Sequence, residues 1–373
     1  MNSCELKDFM ELTIYIFAIF YFTIIFSFFI GIVFLENTKN TKINKISVII
    51  AARNEEKHLP HLLDSLISQK YSKENYEIIV VDDRSVDNTA EIVREYKYKN
   101  NYITLLQVEN ESKHLLGKKG ALDAGIRAAK HNILAFTDAD CIPTHNWLTQ
   151  VNSHFTDDTD VVAGYSFISY KNRFFQFLKN LERSSIFAVV AGSFGWNLGI
   201  TVTAGNLAYR KELFYKVDGF GDIGKIRSGD DDLMIQKMGK FARRMKFMFH
   251  PDSVINTGRD STTSSQIHQE TRRGSKWRYY PASIKIMTLF IFIYYLIFIG
   301  CFFGFLFAYV STILFIIILF LKLIPEFLLI ALFLSRIKRL GLMWVFPIAE
   351  LIYIPYFIFF GLKGTFGKYK WKE

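Results

Sequence analysis

The chain has 373 residues, of which 50% are hydrophobic and 21% charged, so apolar surface is ample and a disordered chain is excluded. Lys and Arg outnumber Asp and Glu by 45 to 35, a net charge of +10. The basic residues are scattered and several flank apolar segments, which favours a membrane surface and a diphosphate as partners over nucleic acid. The length allows two or three domains. The 37 Phe concentrate at the two ends, the pattern of a membrane protein with a soluble middle. Cys4, Cys141 and Cys301 lie far apart, form no disulfide framework and fit a reducing compartment.

Leu12 to Leu35 reads LTIYIFAIFYFTIIFSFFIGIVFL without a charge. At about 1.5 Å per residue that crosses a ~30 Å hydrocarbon core. A signal peptide would have a basic start and a shorter apolar core, whereas Glu5, Asp8 and Glu11 outnumber Lys7. Residues 1–36 therefore read as a retained transmembrane anchor. Lys39, Lys42 and Lys45 follow it, so the positive-inside rule places residue 40 onward in the cytoplasm.

Residues 43–280 predict an α/β domain with a mostly parallel sheet. Strands are expected at 46–52 (ISVIIAA), 77–83 (EIIVVDD), 103–108 (ITLLQV) and 132–138 (NILAFTD), with helices at 58–69 and from about Thr89 and Lys119. Three of these strands end in polar clusters, Arg53-Asn54-Glu55-Glu56, Asp82-Asp83-Arg84-Ser85 and Asp138-Ala139-Asp140. Ligands of such sheets bind beyond the carboxyl ends of the strands.

From Ile284 the chain is apolar again, and 284–362 reads as a C-terminal transmembrane or interfacial region before a basic tail, 363–373. Its first part suits two spans, with Gly300 and Gly304 near the reversal. A short interfacial or re-entrant segment is expected around Pro325-Glu326, and 342–362 is one more candidate span. If every candidate crosses, the basic clusters fall on opposite sides of the membrane, against the usual bias.

Chemistry concentrates in five motifs. TDADC (137–141) ends a strand in two carboxylates that suit Mg²⁺ or Mn²⁺, although an isolated pair of this kind is equally an Asp-rich turn. VVDDRS (80–85) offers acceptors for base or ribose hydroxyls, or a helix cap. LGKKGALDAG (116–125) puts Lys118 and Lys119 at a helix start, where anions are favoured, or forms a solvated basic turn. RSGDDDLM (227–234) stacks Asp230, Asp231 and Asp232, a setting for a general base or an exposed turn. HQETRRGSKW (268–277) carries Arg272, Arg273 and Lys276 into the first C-terminal span.

In order and spacing, SVIIAARNEE (47–56), VVDDRS, GKKGALDAG, TDADC, TAGNLAYR (203–210), SGDDDL (228–233) and QETRRGSK (269–276) resemble a membrane-bound family-2 glycosyltransferase. The resemblance implies a GT-A fold, a nucleotide-sugar donor (a UDP-sugar first), a divalent metal and inversion at the sugar carbon. It implies a lipid-linked or glycan acceptor at the membrane. It further implies that Ala51, Arg53 and Glu55 edge the nucleotide pocket and that Asp82 and Asp83 read base and ribose with Lys118 nearby. Asp138 would contact the ribose-phosphate side and help Asp140 hold the metal, and Gly205 and Asn206 would line the sugar and acceptor site. Asp230 would be the base, with Asp231 as the other candidate because Gly229 replaces the family's Glu. Of the Gln-x-x-Arg-Trp motif, Gln269 and Arg272 remain, Arg273 takes the Trp place, and Trp277 stands one turn on. Rival readings are a polyprenyl-phosphate sugar synthase and a catalytically silent nucleotide-sugar sensor.

Overall fold

The computed structural model describes residues 3–36, 39–170, 172–258 and 263–367. The last residues of the basic tail, 368–373, lie outside the described residues. The elements run α1 (Ser3–Phe34), β1 (Ile46–Ala52), α2 (Leu59–Ile67), β2 (Tyr76–Asp83), α3 (Thr89–Lys99), β3 (Ile103–Val108), α4 (Lys118–Ala128) and β4 (Ile133–Phe136). Then come β5 (Cys141–Pro143), α5 (Trp147–His154), β6 (Val161–Gly164), β7 (Ser166–Ser169), α6 (Arg173–Gly195), β8 (Leu207–Arg210), α7 (Lys211–Lys216), α8 (Asp232–Met238), β9 (Met245–Met248) and β10 (Ile255–Gly258). Four helices close the chain: α9 (Thr263–Ser275), α10 (Ala282–Leu306), α11 (Thr312–Arg336) and α12 (Phe346–Phe366).

The expected strands and helices of the first half form within two residues of their expected ends. Seven strands make the main sheet in the order β3-β2-β1-β4-β8-β6-β9. It is parallel from β3 to β4, β8 runs antiparallel to both its neighbours, and β6 pairs parallel with β9. Continuous apolar runs suit strands covered on both faces. Leu59, Leu62, Leu63 and Leu66 of α2 and Val93 of α3 cover one face, and Ala121, Leu122 and Ile126 of α4 cover the other. A second, three-stranded sheet orders β5-β10-β7.

Among the described residues, four helices are long and apolar enough to cross a membrane: 5–34, 282–306, 312–336 and 340–366. The chain reverses after Leu306, in a turn where Ala308 takes φ 60° and the Gly304 carbonyl accepts from Tyr309 N and Val310 N, close to the expected place. One expectation is corrected here. Pro325-Glu326 is no separate re-entrant segment, because α11 runs unbroken through it. Pro325 removes one backbone donor, but its helix stays continuous because Lys322 and Glu326 pair across it at 2.8 Å and both are buried. Lys322 also pairs with Glu350 of α12, and Glu326 accepts from Tyr21 of α1.

α1 joins the α/β domain through small residues. Gly31 of α1 meets Gly192 and Gly195 of α6 so closely that a Cβ on Gly195 would fall 1.8 Å from the Gly31 carbonyl oxygen. α6 is in turn held to the sheet, since Asn180 accepts from Ile168 N (2.9 Å) and donates to Ile168 O (2.7 Å). Gly195→Leu is therefore expected to push α1 off α6 and to lower the melting temperature in detergent, at the ~1–3 kcal/mol typical of overpacking or beyond it. Gly300→Leu, at a position with nothing within 4 Å, is the matched control and should melt with the parent protein.

Candidate active site

The sheet order reverses at β1, with β2 on one side and β4 on the other, so the crevice at their carboxyl ends is the expected ligand position. β4 stops at Phe136, which is paired with Ile49 of β1 and with Leu207 of β8. Because β8 is antiparallel to β4, continuing the same register two residues beyond Phe136 and Leu207 carries Gly205 to Asp138. The approach is tight. A Cβ on Gly205 would lie 3.2 Å from Asp138 Oδ2 and 3.4 Å from Cys141 Sγ.

Asp138, Asp140 and Cys141 place their ligand atoms within 4.8 Å of one another. The two carboxylates suit a hard divalent cation such as Mn²⁺ that completes its shell with phosphate oxygens, whereas the buried thiol is a soft ligand that such an ion does not favour. The buried hydroxyls of Thr137 and Thr203, on either side of this cradle, have no hydrogen-bond partner among the described residues. Lys118 pairs with Asp138. Burial opposes its charge, but Asp138, Asp230 and Asp231 outweigh that and raise its pKa.

The nucleotide-side residues divide between two faces. Asp82 is buried and accepts from Ser85 N (3.1 Å) and Gln107 Nε2 (3.3 Å). Asp83 pairs with Arg84 at 2.9 Å and borders a separate cavity of 290 Å³ beside α4. Successive strand residues point to opposite faces, so the two carboxylates leave the strand end on different sides. Ala51 lies on the Asp83 face, packed with the α4 cluster. Arg53 is exposed and close enough to help lower the Glu111 pKa, a shift led by the hydrogen bond from Gly117 N. Glu55 sits in a turn tied to the next loop, with its own N–H on Thr89 Oγ1 at 2.9 Å.

The acidic run turns on Gly229, whose φ of +85° suits glycine. Asp231 caps α8 by accepting from Asp232 N at 2.8 Å, and also accepts from Ala204 N at 3.4 Å. Lys276 reaches in from the turn after α9, 2.8 Å from Asp232 and 3.5 Å from Asp231, and Tyr280 donates to Asp232 at 2.7 Å. Burial works upward on both carboxyls. Lys276 overcomes it at Asp231, whose pKa falls far below the usual range, while Asp232 is pushed up to about 6 by burial and by Asp231. Asp230 alone of the three makes no hydrogen bond or ion pair among the described residues. Sequence reasoning set Asp232 in a cluster that could hold a base and Lys276 among the charges before the first C-terminal span, but did not pair them, because the pairing is a long-range contact.

One cavity of 1730 Å³ runs from Asp138, Gly205 and Asp231 past Gln269, Arg272 and Trp277 to Tyr295 and Glu326 among the membrane-type helices. Asn206 does not offer its side chain to it, which corrects a second expectation. Its Oδ1 accepts from Trp147 Nε1 (3.0 Å) and its Nδ2 donates to Tyr165 O (2.9 Å) and Ser253 O (2.8 Å), so its polar atoms are committed to the fold. Arg273 pairs with Glu270 at 3.1 Å.

Residues 47–218 match the family Glycosyl transferase family 2. The chain is 35% identical over 128 residues, 34% of its length, to Glycosyltransferase AglE of Haloferax volcanii. It is 32% identical over 105 residues, 28% of its length, to "Dolichyl N-acetyl-alpha-D-glucosaminyl phosphate 3-beta-D-2,3-diacetamido-2,3-dideoxy-beta-D-glucuronosyltransferase" of Methanococcus voltae. These alignments span 41% and 32% of the two relatives. Among solved structures, the mannosyltransferase PcManGT from Pyrobaculum calidifontis, in complex with GDP-Man and Mn²⁺, aligns over 96% of this chain and 98% of that one. The TM-score is 0.54 at 17% identity, which shows a shared fold.

Lys276 is the counter-ion of two adjacent buried carboxyls, so Lys276→Met should cost ~3–5 kcal/mol of stability, as removal of one partner of a buried pair does. The loss should be larger at pH 8 than at pH 5. Without the cation both carboxyls have folded pKa values above their unfolded ones, and such groups cost stability as pH rises and they are forced to ionise. Thermal unfolding of parent and variant at the two pH values measures this; an equal loss at both would remove the electrostatic account.

Proposed function

The chain carries a Glycosyl transferase family 2 domain, and from that premise we propose that it moves a sugar, with inversion, from a nucleoside-diphosphate donor to a hydroxyl of a lipid-linked acceptor. The observation that carries this reading is the single cavity joining the Asp138–Gly205 cradle to the apolar helices. A water-soluble donor suits its polar end and an amphiphile its apolar end. The named activity of the Methanococcus relative, on a dolichyl phosphate sugar, agrees with such an acceptor. The catalytic domain faces the cytoplasm on this reading, where nucleotide-sugars are made, in line with Lys39, Lys42 and Lys45 beside the anchor.

Asp140 and Asp138 are the residues to hold Mn²⁺ or Mg²⁺. When bound, the ion neutralises charge on the departing diphosphate. Lys118 and Arg272 add fixed positive charge on the same side, and a guanidinium fork suits a phosphate. The orphan hydroxyls of Thr137 and Thr203 are donors for sugar or phosphate oxygens. Asp230 takes the acceptor proton. Its carboxylate makes no hydrogen bond or ion pair among the described residues and directly precedes Asp231 of the cavity wall, whereas Asp231 is held strongly acidic by Lys276 and its cap, which makes it a weak base. Gln269 and Trp277 border the acceptor's path.

Three measurements test this. Nucleoside-diphosphate sugars presented with Mn²⁺ or Mg²⁺ should raise the melting temperature, by the equivalent of about 2.7 kcal/mol at one hundred times Kd. No stabilisation by any of them would refute a donor site. Asp140→Asn should fold and lose that metal-dependent shift together with turnover. Asp230→Asn should keep donor binding and lose ~10²–10⁴-fold in transfer, with Asp231→Asn the milder variant. The reverse order moves the base to Asp231, and full activity in both replaces the hydroxyl with a lipid phosphate, which needs no base.

A further inference from the structure

α12 has the length and hydropathy of a membrane span, yet its contacts are not those of a helix that crosses. Lys322 lies 5.8 Å from the ring centres of Tyr295 and Phe298, which sets the level at which α11 faces α10. α12 stays at that level along most of its length. Phe346 packs on Phe327 at 5.6 Å, Glu350 pairs with Lys322, Phe357 packs on Tyr295 (5.3 Å) and Phe292 (6.5 Å), and Gly361 has Phe292 as its neighbour. From Phe346 to Gly361 the helix advances about 22 Å, while the positions it touches on α11 and on α10 lie within about 8 Å and about 5 Å along those axes. A helix running beside the hairpin would touch positions as widely spaced as its own.

Both ends and the middle are also fastened to elements of the catalytic domain. Just before α12, Trp344 packs on Phe174 and Phe177 of α6, at 6.2 and 5.5 Å. In mid-helix, Tyr356 accepts from Lys179 of α6 at 3.1 Å. At its end, a Cβ on Gly364 would fall 2.6 Å from the Gly274 backbone of α9, and Arg278 donates to Thr365 O. α6 is bonded to β7 through Asn180, and the turn after α9 carries Lys276 into the acidic site. A crossing helix would carry one end ~30 Å away from these anchors.

We infer that α12 lies in the plane of the bilayer leaflet nearest the catalytic domain, across the α10–α11 hairpin, and that the chain crosses the membrane three times, by α1, α10 and α11. The leaflet's acyl chains are the partner of its outward residues Ile348, Leu351 and Phe359, all exposed and apolar and none of them lining the cavity. Its other side, with Glu350, Tyr353 and Tyr356, walls the cavity. The inference is independent of the proposed reaction. It also removes the charge conflict of a four-span topology: Arg336, Lys338 and Arg339 before α12 and Lys363 at its end share the domain side, and the acidic Glu5, Asp8 and Glu11 lie on the other.

The test is sidedness in sealed membrane vesicles, using a membrane-impermeant maleimide and single cysteines in a Cys4→Ser background. Cys141 and Cys301 are buried, and the background protein serves as blank. Tyr98→Cys, on exposed α3, reports the domain side, and Tyr309→Cys, in the α10–α11 turn, the far side. Phe366→Cys is expected to label with Tyr98→Cys and against Tyr309→Cys. Because lipid can shield that position, a peptide tag fused after Glu373 is digested by protease in the same vesicles, and it should be lost from the domain side. Labelling of Phe366→Cys together with Tyr309→Cys, or digestion of the tag only from the Tyr309 side, would overturn the in-plane assignment.

Discussion

The ammonium of Lys276, buried between the adjacent carboxyls of Asp231 and Asp232, is the contact on which the rest of the molecule depends. Asp231 caps α8 and bonds the backbone ahead of Gly205, so its position sets that of the acidic wall beside the cradle. Lys276 belongs to the turn between α9 and α10. One ion pair therefore joins the floor of the site to the segment from which the C-terminal membrane helices start. Two carboxyls side by side in a buried place are unfavourable unless a cation is held there, and holding it requires the α9 turn to be docked. The site and the docking of the membrane helices are thus complete or incomplete together.

A second buried cation repeats this logic deeper in the molecule. Lys322 pairs with Glu326 and Glu350, and Tyr21 bonds both Glu326 and the Tyr295 hydroxyl, the latter at 3.1 Å. Charged groups at such depth are costly in hydrocarbon unless satisfied inside the protein, so each partner penalises the departure of the others. The cluster draws one residue or more from α1, α10, α11 and α12. It also accounts for the charges of α11: alone in sequence they looked like a weak point in an apolar stretch, but in the fold they lock the bundle.

How much of this was legible in the sequence follows from the range of the interactions concerned. β1 to β4 and α2 to α4 are local patterns of apolar runs and helix starts, and they form where expected. The TDADC pair and Gly205 converge because strand register is regular. The failures share a cause, which is that partners distant in sequence decided them. Asn206 reads as a ligand-facing amide until Trp147, Tyr165 and Ser253 claim its atoms. α12 reads as a span because hydropathy measures length and composition, not direction. Its direction comes from Gly274, Lys179 and Lys322, which lie 28 to 177 positions before their partners in α12.

An in-plane α12 changes what the cavity is. With α12 along one side and α10 on the other, the passage from the site opens towards the acyl chains of the near leaflet rather than across the bilayer. An amphiphile entering there would keep its tail in lipid while its head moved towards Asp231, so neither the lipid nor the site would need to leave its own medium. Apolar walls such as Met287, Ile291 and Phe357 also disfavour water along the approach. Transfer to a hydroxyl competes with hydrolysis, so a site that admits its acceptor through lipid and its donor through water gains selectivity from the entrance before any contact with the sugar is made.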